Sequence, residues 1–373
     1  MNGGEYGRME EMARQLVARL AATPDSALRG LPFLHRVLTL PLLSAASAVL
    51  RLSLLLSRLR SRRALPVPVV SVGNLTWGGN GKTPMVDFLA RSFHRLGVSP
   101  LLLTRGYAGG DEPKMLRRRL SDTSAKIGVG ANRTAVASSM LQEYGFIHHF
   151  QNTFAEKKLS SVCKLESGNR IGVAILDDGM QHWSLLRDVE IVMVNGLAPW
   201  GNSHFIPRGP MREPLSALGR ADIVVIHNAD MASEMQLKAI RSAIEDNNAT
   251  CSVFYSRLAP SHFFEIGPLK IARLDFSDHH FFSAHDLEKI QETARNLMDE
   301  HSKDTIVLVT EKDYDRDPEA LKTLDANVWV LSSSLQIMHH SKQGEDEFMR
   351  KVNEIITVTW CAKSHAADRA TGC

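Results

Sequence analysis

Short, almost fully apolar runs recur along this chain, and each stops at glycine or polar residues. Val69–Val72, Pro100–Leu103, Ile171–Leu176, Val189–Val194 and Ile223–Ile226 have this form. Runs without strict alternation predict strands buried on both faces, as in a parallel sheet covered by helices. Between the first two, Met85, Val86, Phe88 and Leu89 begin a helical apolar face. Strand, helix and strand in that order make a βαβ unit and so an α/β fold. Ile127–Val129 and Gly145–His149 add short strands around a helix over Arg133–Glu143, and Pro214–Gly219 adds another helix. The second half repeats the pattern on a smaller scale. Strands are expected at Ser252–Tyr255, Phe263–Ile266, Ile271–Phe276, Thr305–Val309 and, last, Val328–Leu331. Ser277-Asp278-His279-His280 opens a helix carrying Leu287, Ile290 and Leu297.

The first strand runs into V-G-N-L-T-W-G-G-N-G-K-T-P, ending at Pro84. A strand feeding a glycine-rich turn that opens a helix converges backbone N–H groups on one point, where a phosphate can sit. Gly78, Gly79, Asn80 and Gly81 would form that cradle. Lys82 would reach the outer phosphates, Thr83 would hold Mg²⁺, and Pro84 suits the first helical turn. The strict P-loop spacing asks for glycine where Thr76 stands. An ordinary strand-turn-helix junction competes with this reading, but Gly-Lys-Thr at the turn favours a nucleotide.

Ile171–Leu176 ends in Asp177-Asp178-Gly179, then Met180, Gln181 and His182. Acids at the C-terminal end of a buried strand face the crevice where α/β sheets bind ligands, the place for a second Mg²⁺ carboxylate. A long Gly/Pro-rich loop follows the next strand and ends in Arg212-Glu213. These would hold a phosphate and complete the metal shell, or equally form an ion pair at a helix start. Asp111-Glu112-Pro113 opens a helix, which capping alone explains. His279, beside Asp278, suits proton transfer or a solvated loop.

Composition narrows the function classes. Forty-four Lys and Arg against 41 Asp and Glu leave a net charge of +3 over 373 residues, too balanced for a dedicated nucleic-acid binder. The four cysteines are scattered and support neither a zinc site nor a disulfide framework. The length allows two domains: 64–250 around the P-loop and 251–360 as linker strands with a smaller α/β domain, before a disordered tail over 361–373. The first 63 residues differ from the rest. Between Met12 and Arg63 the acid is Asp25, among many arginines. Val37–Leu50 is uncharged but shorter than the roughly 17–25 residues of a bilayer span. This predicts a helix lying in a membrane interface, in competition with a hairpin of helices packed on the protein. The arginine-rich, acid-poor start also resembles an organellar targeting segment, apart from Glu5, Glu10 and Glu11.

Taken together, V-G-N-L-T-W-G-G-N-G-K-T-P, T-R-G-Y, G-D-E-P, L-D-D-G-M-Q-H, G-P-M-R-E-P, R-A-D, F-S-D-H-H and T-E-K-D resemble the tetraacyldisaccharide 4'-kinase (lipid A 4'-kinase) family. They follow the family order from about Val67 to Asp313, and Thr76 fits that family's version of the loop. The resemblance implies two three-layer α/β/α units, the first P-loop NTPase-like, joined by a strand linker, with a membrane-associating N-terminal segment. It implies ATP and Mg²⁺, and an acylated glucosamine disaccharide 1-phosphate phosphorylated on its 4'-hydroxyl. Asp111 would take the proton from that hydroxyl, helped by His279, with Glu112 in support. Asp177, Asp178 and Glu213 would serve the metal with Thr83, and Arg212 the phosphates. Arg105, Tyr107, Gln181, His182 and Asp278 complete the motifs around the site. No oligomeric state follows.

Two departures stand out. R-G-Y-A-G-G-D-E is compressed as in the family's plant branch, which implies a mitochondrial membrane ahead of a bacterial inner membrane. The segment between Phe264 and Asp278 lacks a strand and a helix usual in the family, so strands beside the gap should be exposed. A catalytically impaired nucleotide- or lipid-binding homologue therefore competes with an active kinase, as does another P-loop small-molecule kinase.

Overall fold

The computed structural model describes residues 44–52, 56, 61–106, 111–147, 170–260, 274, 276, 282–301, 305–338 and 344–371. Ten strands and eight helices, besides a helix over residues 44–52, organise these residues. The strands are β1 (Val69–Asn74), β2 (Ser99–Thr104), β3 (Lys126–Val129), β4 (Ile171–Asp177), β5 (Val189–Asn195), β6 (Ile223–His227), β7 (Ser252–Pro260), β8 (Ile306–Thr310), β9 (Asn327–Leu331) and β10 (Ser333–Ile337). The helices are α1 (Lys82–Arg95), α2 (Asp111–Arg119), α3 (Arg133–Tyr144), α4 (Glu234–Asn247), α5 (Ala284–His301), α6 (Glu311–Arg316), α7 (Pro318–Lys322) and α8 (Glu345–Thr371). Leu215–Arg220 is a 3-10 turn where a helix was expected.

An eight-stranded sheet in the order β10-β7-β6-β5-β1-β4-β2-β3 forms the body of the molecule. All its pairings are parallel except β10 on β7. The apolar runs divide by period two between its faces. Val70, Val72, Leu102, Ile191, Met193 and Val225 meet α1, α2 and α8 on one face. Val69, Leu101 and Leu103 turn to α3 on the other, and Val192, Val194 and Ile226 turn to α4. This is a three-layer α/β/α body with the P-loop strand at its centre.

Three expectations are corrected. The boundary at 250 does not hold, because β7 runs parallel to β6 as part of the large sheet. The strand after β9 was missed: β10 pairs with β7 from Ser333 opposite Pro260 to Ile337 opposite Ser256. The tail is helical to Thr371, in a stretch rich in alanine and free of proline. The N-terminal half of α8 buries Phe348 edge-on against Phe88 and Phe254, with ring centroids 5.8 and 5.2 Å away. Within the predicted strand Gly145–His149, Phe146 forms an isolated parallel bridge to Ile171, and 148–149 lie outside the described residues.

The smaller unit consists, among the described residues, of the parallel pair β8-β9 with α5, α6 and α7 around Ile290, Val309, Leu321 and Leu324. Its other face leaves Ile306, Leu308 and Trp329 exposed. The shortened 264–278 stretch itself, apart from 274 and 276, and residues 1–43 lie outside the described residues. No helix among the described residues is long and apolar enough to cross a membrane.

Candidate active site

β1 delivers the chain to the glycine-rich turn, and Gly81, at φ 77°, turns it into α1. No side chain caps the start of α1, so its first amides face outward as an anion cradle. A Cβ built on Gly78 or Gly79 meets nothing within 4 Å, which leaves the outer rim open. Inside, the turn is stapled. Asn80 donates to the carbonyl oxygens of Thr76 at 2.9 Å and Gly78 at 3.3 Å. Thr76, where the strict pattern wants glycine, is buried and bridges Met211. Trp77 N–H donates to Pro210 at 2.7 Å and Arg212 N–H to Leu75 at 2.7 Å. Extended backbone, not a left-handed turn, is needed at Thr76, and a β-branched residue suits it.

Charged groups converge on this cradle. Lys82 Nζ lies 3.7 Å from Asp178 Oδ1; burial pushes its ammonium pKa down, and Asp178 works against that shift. Burial would raise the Asp178 carboxyl, but Arg212 and Lys82 together hold it well below the usual carboxylate range. Asp178 sits at φ 49°, a region a non-glycine residue enters at a cost. Arg212 grips both its oxygens at 2.8 and 2.9 Å, then Gln181 Oε1 at 3.0 Å and Asn74 Oδ1 at 2.5 Å. Asp177 is buried, and burial first, then Glu112 and Asp178, pushes its carboxyl up to about 7. Its Oδ1 accepts no hydrogen bond among the described residues. A buried, unpartnered carboxylate oxygen at the end of the strand beside the P-loop fits a divalent cation held together with the Thr83 hydroxyl. A bound cation would favour its ionised form.

Glu213 does not fit that metal shell. Arg220 holds both its oxygens at 2.9 Å and Gln181 Nε2 donates to it at 3.1 Å, so it orients Gln181 beneath Arg212. The Arg212 guanidinium is held on Asp178, Gln181 and Asn74. His182 is kept neutral, its pKa down to about 4, by burial and then by Arg133, Arg187 and Arg105. Arg105 is exposed at the end of β2. Asp111 opens α2, though its side chain lies outside the described residues, as do Tyr107, Asp278 and His279. Glu112, next to it, acts electrostatically on both Lys82 and Asp177, which brings the first turn of α2 to the P-loop.

Sequence reasoning passed over Arg133. Buried at the start of α3, it donates to the carbonyl oxygens of Asp177 at 2.6 Å and Asp178 at 3.1 Å, pinning the paired acids. An arginine at a helix start carries no motif; only its Asn132 cap, which accepts from Ala135 N–H, marks the turn.

His227, at the end of β6, supports the turn from below. It is buried, its Nδ1 lies 3.0 Å from Ser256 Oγ, and a Cβ on Gly81 would come within 2.6 Å of its ring. Burial lowers its pKa to about 4. The unfolded chain therefore binds more protons than the folded one between about pH 6.5 and 4, and stability falls as pH falls through that window. His227 alone should remove on the order of 2 kcal/mol between pH 7.5 and 5. Urea unfolding of His227→Asn at both pH values should show a correspondingly smaller decline; an unchanged decline would reject this role.

The family model described as tetraacyldisaccharide-1-P 4'-kinase matches residues 35–353. A protein of Arabidopsis thaliana, named probable tetraacyldisaccharide 4'-kinase, mitochondrial, is 42% identical, covering 91% of this chain and 96% of its own. A Shewanella tetraacyldisaccharide 4'-kinase is 29% identical, covering 90% and 96%. The crystal structure of LpxK from Aquifex aeolicus in complex with ATP aligns with a TM-score of 0.49 at 20% identity, covering 85% of this chain and 98% of that one.

Proposed function

The chain belongs to the tetraacyldisaccharide-1-P 4'-kinase family, and from that premise we propose that it moves the γ-phosphoryl group of ATP to the 4'-hydroxyl of a tetraacylated glucosamine disaccharide 1-phosphate. The observation that carries this reading is the convergence of Lys82, Asp177, Asp178 and Glu112 at the uncapped start of α1. Phosphoryl transfer asks the protein to position an in-line hydroxyl and to neutralise developing charge. Main-chain amides from Gly78 to Lys82 hold the phosphates, and Lys82 offsets charge on the transferred group. Asp111, at the first turn of α2, takes the proton from the sugar hydroxyl, with His279 assisting. Thr83 and Asp177 hold Mg²⁺, which when bound supplies further charge neutralisation on the phosphates. Arg212, Gln181 and Glu213 keep Asp178 beside Lys82.

The mitochondrial name of the Arabidopsis relative and the arginine-rich start of this chain support a mitochondrial location, at a membrane surface reached through the N-terminal segment. Single-turnover incubation with γ-labelled ATP and a tetraacyl disaccharide 1-phosphate in detergent should give a labelled lipid, dependent on both Mg²⁺ and lipid. Nucleotide binding without transfer would instead support a binding homologue.

A further inference from the structure

T-E-K-D, at the start of α6, has no place in the reaction just described. Two of its residues build the helix itself: Thr310 and Asp313 form a capping box, each side chain bonded to the other's backbone N–H. Glu311 faces away from that box, toward α2. Its Oε1 accepts from Arg118 Nη2 at 2.7 Å, and its Oε2 accepts from Arg119 Nη1. Arg118 also forks onto Asp315 at 2.8 and 2.9 Å. Arg119 reaches Asp87 on α1 at 2.8 and 3.0 Å and the Ser333 carbonyl oxygen, where β10 enters the large sheet, at 2.9 Å. Glu311, Asp315 and Asp87 are all buried.

This cluster joins three elements: the P-loop helix α1, the helix α2 and the smaller unit. Arg118 and Arg119 are the last two residues of α2, whose first two are Asp111 and Glu112. Nine residues make a rod of about 12 Å. A tilt of about 5° at the clamped end moves the other end by about 1 Å, enough to cost on the order of a hundredfold in a positioned reaction. We propose that Glu311 is a positioning residue for phosphoryl transfer. By holding both arginines at the end of α2 it fixes where the first turn of that helix stands relative to Lys82 and Asp177. The smaller unit thereby sets the geometry of a centre built on the larger one.

The inference rests on the kinase reading, and the test separates the two. Wild type, Glu311→Gln, Arg118→Gln and the double variant are compared in full-length protein for kcat, KM of both substrates, nucleotide dissociation constant and Tm. Glu311→Gln is expected to lower kcat about 10- to 100-fold, with nucleotide affinity within about threefold of wild type. The double variant should be no slower than the slower single one, because both break one link. Wild type without transfer would sink the kinase reading and this inference with it. An active wild type beside a Glu311→Gln variant of normal kcat, or one that loses only Tm, would sink the inference alone. Should Glu311→Gln not fold, Arg118→Gln, which breaks the same link from the α2 side and leaves Glu311 paired with Arg119, must still lower kcat several-fold at unchanged nucleotide affinity. Normal kcat there counts equally against the proposal.

Discussion

Lys82→Met is expected to abolish phosphoryl transfer while leaving a folded protein. The lysine is a buried cation 3.7 Å from Asp178, and methionine keeps most of its apolar stem. Asp178 stays charge-paired in the variant, because Arg212 holds both its oxygens. Removing a desolvated charge whose partner keeps another leaves no buried charge unpaired, so the large cost of a broken buried pair does not arise. The catalytic cost is different in kind. A preorganised cation aimed at developing charge is worth about 10²- to 10³-fold in rate, and on the proposed reading it also contacts the outer phosphates. Single-turnover transfer should fall by at least about a thousandfold, with Tm within a few degrees of wild type. Transfer within tenfold of wild type would show that the phosphates lie elsewhere.

Asp111→Ala should separate binding from chemistry. The residue begins α2, and neighbouring Glu112 senses both Lys82 and Asp177. A positioned general base contributes about 10²- to 10⁴-fold. kcat should fall by that factor while the ATP dissociation constant, measured without lipid, stays within about twofold of wild type. Normal transfer would remove Asp111 as the base, and weakened ATP binding would place it in the nucleotide site instead.

The central sheet was legible because a strand buried on both faces is an apolar run with abrupt ends, and β1, β2, β4, β5 and β6 all have that form. The P-loop was legible from Gly81-Lys82-Thr83 and the paired acids from their place after β4. What stayed hidden depends on contacts across the fold. β10 is a short, largely polar edge strand, S-S-L-Q-I, made a strand by β7 beside it. α4 buries only Ile240 and Ile244, so its apolar stripe is thin, although its Ser233–Gln236 capping box was there to be read. Arg133 and Asn74 act through hydrogen bonds to residues far along the chain, and spacing carries no trace of that. Glu213 misled for the same reason: beside Arg212 it suggested a ligand, whereas the partner that decides its role, Arg220, lies one short turn further on.

The pairing of Ser333 with Pro260 has a topological consequence. The chain leaves the large sheet at the end of β7 and returns directly opposite, so everything between is an excursion from a β-hairpin whose two arms remain zipped together. Closing a loop of that kind costs an entropy that grows only slowly with its length, which is why such a segment can shrink or expand while the large sheet keeps its strand order. Two cooperative melting steps, with the excursion opening first, are the natural behaviour of such a design.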